Sequence, residues 1–152
     1  MTKKYEDFMK EALKEAKKAY TANEIPVGAV IVKNNKIISR GYNTREKTNN
    51  IANHAEIIAL QEAAHKLKTW KLDSCDIYIT LDPCLMCYGA IKQSRIRNIY
   101  VALKGNDNKE YSYRNYINDT TIKSNILKEE SYKLLNSFFL NKRKKAKKDK
   151  LW

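Results

Sequence analysis

The chain has 152 residues, is 43% hydrophobic and carries a formal net charge of +13, which is enough for one compact domain with a core. Three cysteines are too few for a disulfide framework, the charged N-terminus is unlike a signal peptide, and no stretch approaches the roughly 18 apolar residues of a membrane span. We therefore expect a soluble protein of the reducing cytoplasm. The basic excess favours an anionic partner, first of all a nucleic acid, although a lysine-rich coding bias would explain part of it.

The first part of the chain predicts a helix followed by a β-hairpin. Apolar residues recur at helical spacing over residues 4–20, which indicates an amphipathic helix. Two β-rich runs follow, Val27–Val32 and Lys36–Ser39. Asn34 and Asn35 between them suit a two-residue turn, because Asn tolerates a positive φ.

The middle of the chain alternates helices and strands. A second helix is predicted to begin near Asn53, which is a favourable N-cap. A third strand follows at "DIYITL" (76–81), then a helix over "PCLMCYGAIKQS" with Pro83 in its first turn, then a fourth strand at "NIYVAL" (98–103). This order predicts one domain in which a sheet lies between helices.

The last third of the chain has a weaker pattern. Segment 104–123 is polar and turn-rich, with at most a short strand at Thr120–Ile122. A helical pattern returns from Asn125 and continues into the basic run "KRKKAKKDK". We divide the chain into a domain of residues 1–141 and a basic C-terminal tail of residues 142–152.

The motif "LDPCLMC" contains Cys84 and Cys87 at the start of a predicted helix. Such a pair is typical of a redox site or of half a zinc site, and a helix N-terminus favours the thiolates that both need. The start of the preceding helix carries His54. Because both helices begin at the carboxyl ends of strands, the three side chains are expected to meet. This favours zinc over a redox pair.

A closed structural zinc site would require a fourth ligand, and only two candidates exist. His65 lies on the same helix as His54 but about 16 Å along its axis, and Cys75 precedes the third strand, about 20 Å from its far end. We interpret them as a helix-surface histidine and a small buried residue. The fourth position is then expected to be water, whose pKa zinc lowers from 15.7 to about 7, as in a catalytic site.

Glu56 is the candidate for proton transfer at that site. Its alternative role is structural, since Asn53 and Glu56 have the Asn-x-x-Glu spacing of a capping box. The joint occurrence of His-x-Glu and Pro-Cys-x-x-Cys, in this order, favours the catalytic role.

Together with "EIPVGAV", "GYN", "NHAEIIAL", "DIYITLDPCLMCYGAI" and "LLNSFF", these motifs give the chain its resemblance to a family. It resembles the bacterial tRNA-specific adenosine deaminases of the zinc-dependent cytidine/deoxycytidylate deaminase-like superfamily. The resemblance implies an α/β fold, a three-layer α/β/α sandwich with a central mixed five-stranded sheet. It also implies one Zn²⁺ per subunit on His54, Cys84 and Cys87, with Glu56 as proton shuttle.

The implied activity is hydrolytic deamination of adenosine to inosine at the wobble position of a tRNA anticodon stem-loop, with release of ammonia, by a homodimer. Asn43 corresponds to the asparagine that contacts the base in the family; without the resemblance it would be a turn residue that closes the second strand. Asp82 departs from the family's usual Glu and is also a favourable N-cap for the next helix. The segment after "VALKG" is shorter than usual, and three of its tyrosines could stack on unpaired bases or pack within the protein: Tyr111, Tyr113 and Tyr116.

There are two rival functions, one within the enzyme class and one from a different class. A deaminase of a free base or nucleotide (cytosine, guanine or deoxycytidylate) has no need of the basic run, whose seven basic residues and one acid carry +6. A non-catalytic RNA-binding module with structural zinc would not need Glu56 and would have a fourth ligand. If the tail binds RNA rather than being only solvated, the residues that neutralise phosphates are Lys142, Arg143, Lys144, Lys145, Lys147 and Lys148.

Overall fold

The computed structural model of the protein describes residues 2–105 and 122–149. The strands are β1 (Gly28–Lys33), β2 (Lys36–Tyr42), β3 (Cys75–Leu81), β4 (Asn98–Leu103) and β5 (Ile122–Lys123). The helices are α1 (Thr2–Thr21), α2 (Arg45–Thr48), α3 (Ala55–Leu67), α4 (Leu85–Gln93) and α5 (Lys128–Asp149).

The strands form one mixed sheet in the order β2-β1-β3-β4-β5. β1 is antiparallel to both of its neighbours, whereas β3, β4 and β5 are mutually parallel. Since β2 and β3 both run antiparallel to β1, they end at the same edge of the sheet, after Tyr42 and Leu81. This edge, the site edge, is where α3 and α4 begin.

Helices cover both faces of the sheet, so the expected three-layer sandwich is confirmed. On one face, α3 and α4 pack on alternate strand residues in a cluster that includes Ile31, Ile77 and Val101. On the other face, α1 and the residues leading into α5 pack on Val30, Tyr78, Tyr100 and their neighbours. The strand residues alternate between the two clusters because successive side chains point to opposite faces.

A glycine lets α3 approach β2 closely enough to form the site. A Cβ on Gly41 would lie 2.3 Å from the carbonyl oxygen of Ala55, in the first turn of α3. Gly28 has the same function beneath α1, where a Cβ would lie 2.1 Å from the oxygen of Ala12. Any side chain at Gly41 would push the start of α3 away from the sheet.

The hairpin prediction is confirmed. Asn34 and Asn35 both adopt positive φ, 50° and 61°, and Lys33 pairs with Lys36 across the turn. β2 continues three residues beyond the predicted Ser39, because its pairing with β1 extends as far as Tyr42; a β-bulge shifts the register between Ile31 and Val32.

The predicted starts of the two site helices are wrong by one or two residues. The N-cap of α3 is His54 rather than Asn53, whose amide instead donates to the Thr48 hydroxyl at 3.0 Å. α4 begins at Leu85 with Cys84 as N-cap, so Pro83 precedes the helix. The N-cap prediction for Asp82 is also wrong, since its carboxylate accepts the N–H of Gly105 at 2.7 Å.

The C-terminal helix α5 is a single helix that continues through residue 141 to Asp149. The predicted strand at Thr120–Ile122 corresponds to β5 only at Ile122 among the described residues. Three tyrosines of the preceding segment, Tyr111, Tyr113 and Tyr116, lie outside the described residues. The division into a domain and a basic tail stays a prediction.

Candidate active site

The three predicted metal ligands meet at the site edge. His54 and Cys84 are the N-cap residues of α3 and α4, and Cys87 lies in the first turn of α4. The Nδ1 atom of His54 lies 3.3 Å from the Cys87 Sγ and 3.7 Å from the Cys84 Sγ. Among residues 2–105 and 122–149, this is the one group of three or more potential metal ligands whose donor atoms converge, all within 4.8 Å of one another.

These distances fit a tetrahedral zinc ion. Zn–S bonds of about 2.3 Å and Zn–N bonds of about 2.0–2.1 Å require sulfur and nitrogen ligands to be about 3.5 Å apart. The observed separations lie on either side of that value. The remaining His and Cys do not contribute, because His65 is exposed on α3 and Cys75 is buried at the opposite end of β3.

The electrostatics of the two thiols also favour a cation. The hydrogen bond from Cys87 and the nearby His54 lower the pKa of Cys84 to about 4, so this side chain is a thiolate at neutral pH. The same hydrogen bond, together with burial, raises the pKa of Cys87. The pair therefore shares one proton, which a bound metal would displace, since zinc binds thiolates.

Glu56 lies one residue inside α3 and is only 3% exposed. Burial raises the pKa of its carboxyl group to about 7, against weaker opposing effects that include the nearby His54. A group with this pKa can accept and return a proton near neutrality. The capping-box role does not apply here, because the helix begins after His54 and not after Asn53.

A cleft of about 160 Å³ opens beside the three ligands. This volume is smaller than the roughly 300–1,000 Å³ of sites that hold drug-sized ligands, so it suits a single ring system. Its walls combine the ligand-bearing helix starts with apolar and polar side chains from neighbouring loops: Ile25, Val27, Asn43, Arg45, His54, Ala55, Glu56, Leu81, Asp82 and Cys84.

Asn43 is in the cleft wall and is 6% exposed. Its Oδ1 accepts the N–H of Arg45 at 3.0 Å and its Nδ2 donates to the oxygen of Ile25 at 3.3 Å. The side chain therefore closes the turn after β2. A primary amide has two N–H donors and two acceptor lone pairs, so one of each remains for a ligand.

Glu24 and Arg45 were not predicted from the sequence. Glu24 is 1% exposed, and its two carboxylate oxygens accept the N–H groups of Glu46 and Lys47 at 2.9 and 2.7 Å. These bonds attach α2, which was not predicted, to the loop before β1. A single acid directly before the apolar run "IPVGAV" was the available signal for Glu24; for Arg45 the sequence offered none.

Residues 2–103 match the family described as the cytidine and deoxycytidylate deaminase zinc-binding region. The tRNA-specific adenosine deaminase of Rickettsia bellii is 44% identical over 140 residues, which cover 86% of this chain and 97% of that protein. A solved structure from a study of A-to-I editing by tRNA:A34 deaminases at the wobble position superposes with a TM-score of 0.77 at 33% identity, covering 85% of this chain and 99% of that one.

The chain belongs to the tRNA-specific adenosine deaminase family. The family description confirms zinc as the cofactor, and the convergence of a histidine and two cysteines provides its site. The guanine deaminase of Bacillus subtilis is also similar, with a TM-score of 0.62 and 38% identity, but the match covers 65% of this chain and 64% of that one. Of these relatives, those with tRNA deaminase names share much more of the chain.

Proposed function

We propose that the protein deaminates adenosine to inosine at the wobble position of a tRNA anticodon. The observation that carries this proposal is the convergence of His54, Cys84 and Cys87 beside the buried Glu56, in a cleft sized for one ring system. An anticodon loop presents an unpaired base, which can leave its stack at little cost.

Zinc held by His54, Cys84 and Cys87 would lower the pKa of water to about 7 and so supply a nucleophile at neutral pH. Glu56 accepts a proton from the attacking water and returns a proton to the amino group of the base. The attack of water forms a C–O bond at the carbon that carries the amino group, and the C–N bond to that group then breaks. Adenosine and water thus give inosine and ammonia. The pKa of Glu56, about 7, suits both proton transfers.

Asn43 is proposed to orient the base. One N–H and one lone pair of its amide are free of the contacts to Ile25 and Arg45, so it can donate to and accept from a purine edge at once. The apolar side chains of Ile25, Val27 and Leu81 line the same cleft and would contact the ring faces.

The basic end of α5 is proposed as an RNA-binding surface. α1 runs toward the site edge, because its end leads through residues 22–27 into β1, which begins there. α5 runs alongside α1 in the same direction, since Leu127, just before α5, packs in the cluster that holds Met9 of α1, whereas Ser137 and Asn141 bond to Tyr20 in the last turn of α1. The eight residues after Asn141 extend about 12 Å further, and the tail's basic residues described here are exposed.

Deleting residues 142–152 should weaken tRNA binding and flatten its salt dependence by a few units of log K per log[salt], at about 0.7–0.9 units per released ion. Zinc content should not change, because no ligand is removed. Lys36→Gln is the control, since Lys36 is exposed at the end of the sheet opposite the site edge. Equal salt slopes for truncated and intact protein would mean that the tail is only solvated.

The family resemblance implies a homodimer, and we propose that it forms through the α3–α4 face. Large apolar side chains are exposed on and beside this face: Trp70 is 58% exposed, Leu85 48% and Met86 39%. Met86→Glu should then give a monomer by sedimentation, whereas Phe139→Ser, on α5, should leave the mass unchanged. A monomeric wild type would contradict the proposal.

A panel of substrates tests the proposed activity, which we place in the cytoplasm, where tRNA is available and thiols stay reduced. Ammonia release is measured from an unmodified tRNA with adenosine at the wobble position, and from free cytosine, guanine and deoxycytidylate. We expect release from the tRNA alone. Release from a free base or nucleotide, with none from the tRNA, would favour the rival deaminase; no release from any substrate would favour the RNA-binding module.

A further inference from the structure

Arg45 lines the cleft and is half-buried, at the first position of α2. The ion pairs that the structure gives for arginines belong to Arg40 and Arg97. Within residues 2–105 and 122–149, the guanidinium of Arg45 has neither a hydrogen-bond nor an ion-pair partner. A half-buried cation left unpaired at a ligand site is available for an anion.

The backbone around Arg45 is held from two sides. Its own N–H donates to the Oδ1 of Asn43, and the next two N–H groups donate to the buried carboxylate of Glu24. The Asn43 amide is itself bonded to Ile25. The backbone of Arg45 is therefore held in place by hydrogen bonds that do not involve its guanidinium group.

When the base of a nucleotide enters the cleft, its sugar–phosphate backbone must remain at the mouth of the cleft. The buried lining residues, Asn43, Ala55 and Glu56, form the inner part of the cleft, whereas Arg45 and Asp82 are partly exposed. A volume of about 160 Å³ leaves the ribose and phosphates outside once the base has entered. The carboxylate of Asp82 already accepts the N–H of Gly105. Among the described residues that line the cleft, Arg45 is the cation besides the ligand His54.

We propose that Arg45 binds a backbone phosphate next to the nucleotide whose base enters the cleft. This inference rests on the proposed function, and it makes Arg45 a residue that selects a polynucleotide over a free base. The contact forms on binding and is distant from the reacting carbon, so it should lower KM with little effect on kcat.

The test combines Arg45 variants with neutral linkages in the substrate. A synthetic anticodon stem-loop with adenosine at the wobble position carries one methylphosphonate, placed in turn at each linkage within two nucleotides of that adenosine. With the fully charged RNA, Arg45→Ala should lower kcat/KM about 10- to 100-fold, mainly through KM. Arg45→Lys should restore part of the loss, because it keeps the charge but not the guanidinium fork.

The decisive result is non-additivity. At one linkage, the neutral substitution should reduce wild-type activity to the level of Arg45→Ala and cause no further loss in that variant. Lys36→Ala, remote from the cleft, serves as the control that should respond to every linkage as the wild type does. Zinc content and melting temperature should show that Arg45→Ala is folded, because the Arg45 guanidinium has no hydrogen-bond or ion-pair partner among the described residues.

Different failures have different meanings. Equal kcat/KM for wild type and Arg45→Ala on the charged RNA would overturn the role of Arg45 and leave the proposed function standing. The same would follow if every linkage gave additive losses. A wild-type protein that forms no inosine in the stem-loop or in full-length tRNA would overturn the proposed function, and this inference with it.

Discussion

Two glutamates are both almost completely buried, Glu56 in the wall of the cleft and Glu24 next to the cleft residue Ile25, yet the structure gives them different roles. Both oxygens of Glu24 accept backbone N–H groups of α2 at 2.7–2.9 Å, so the carboxylate is fixed in an anchoring role. Glu56 lies beside the proposed metal ligands, and burial raises its pKa to about 7. Burial alone therefore does not make a carboxylate catalytic; what differs is the surroundings of the carboxylate, which are the N–H groups of α2 for Glu24 and the proposed metal ligands for Glu56.

Replacement of Glu56 should have the largest effect on turnover. Glu56→Gln keeps the size of the side chain but removes the proton acceptor, and general acid/base catalysis typically contributes 10²–10⁴-fold. We expect kcat to fall by at least that range, with zinc content and melting temperature close to wild type. A variant that loses stability but keeps its turnover would return Glu56 to a structural role.

Gly41→Ala tests whether the position of α3 is as important as the identity of Glu56. The new Cβ would lie 2.3 Å from the carbonyl oxygen of Ala55, so the start of α3 must move and carry His54 and Glu56 with it. Overpacking of this kind costs about 1–3 kcal/mol of unfolding free energy. We expect that loss in chemical denaturation, together with weaker zinc retention against a chelator; unchanged zinc affinity would show that the helix start adapts.

Glu24→Gln should have the opposite profile to Glu56→Gln. The amide retains one acceptor oxygen but faces the second N–H group of α2 with its own N–H₂, which leaves a donor unsatisfied at a cost of about 1–3 kcal/mol. The expected result is a lower unfolding free energy, a higher KM through the displaced Asn43 and Arg45, and a kcat reduced far less than in Glu56→Gln. Equal losses of kcat in the two variants would contradict the distinction between an anchoring Glu24 and a catalytic Glu56.

The smallest effect is expected from the substitution of Glu11, a partly exposed glutamate far from the cleft. Hydrogen bonds donated by Lys14 and Arg40 lower the pKa of Glu11 below the usual 4.5. Its contribution to stability is therefore present above pH 4.5 and is lost as the pH falls through the lowered value. Because the pair is solvent-screened, Glu11→Gln should cost about 0–1 kcal/mol at pH 7, less in high salt. A larger loss would mean that the α1–β2 ion pairs position the site.

The sequence predicted the metal ligands because their residue types are specific and their position follows from topology. His54, Cys84 and Cys87 begin helices after strands that end at one edge, and that arrangement holds even though the helix starts shifted by one or two residues. Glu24 and Arg45 could not be predicted in the same way. Their roles depend on backbone N–H groups of α2, a four-residue helix without periodicity of its own.

Asn43 lies between these cases. The family resemblance suggested a base contact and the local pattern suggested a turn residue; the structure shows the turn-closing bonds, and the free N–H and lone pair leave the base contact possible in addition. Helix caps were the least predictable feature. Asn53 and Asp82 are favourable N-caps by residue type, but the Asn53 amide donates to Thr48 and the Asp82 carboxylate accepts from Gly105.

The most direct test of the central claim is a time course of inosine formation at the wobble position of a tRNA that carries adenosine there, followed by mass spectrometry of nuclease fragments. Wild type and Glu56→Gln are compared at equal zinc content. The wild type should form inosine at that single position, and the variant should do so at a rate at least 10²-fold lower. Inosine formed at equal rates by both proteins, or none formed by the zinc-loaded wild type, would contradict it.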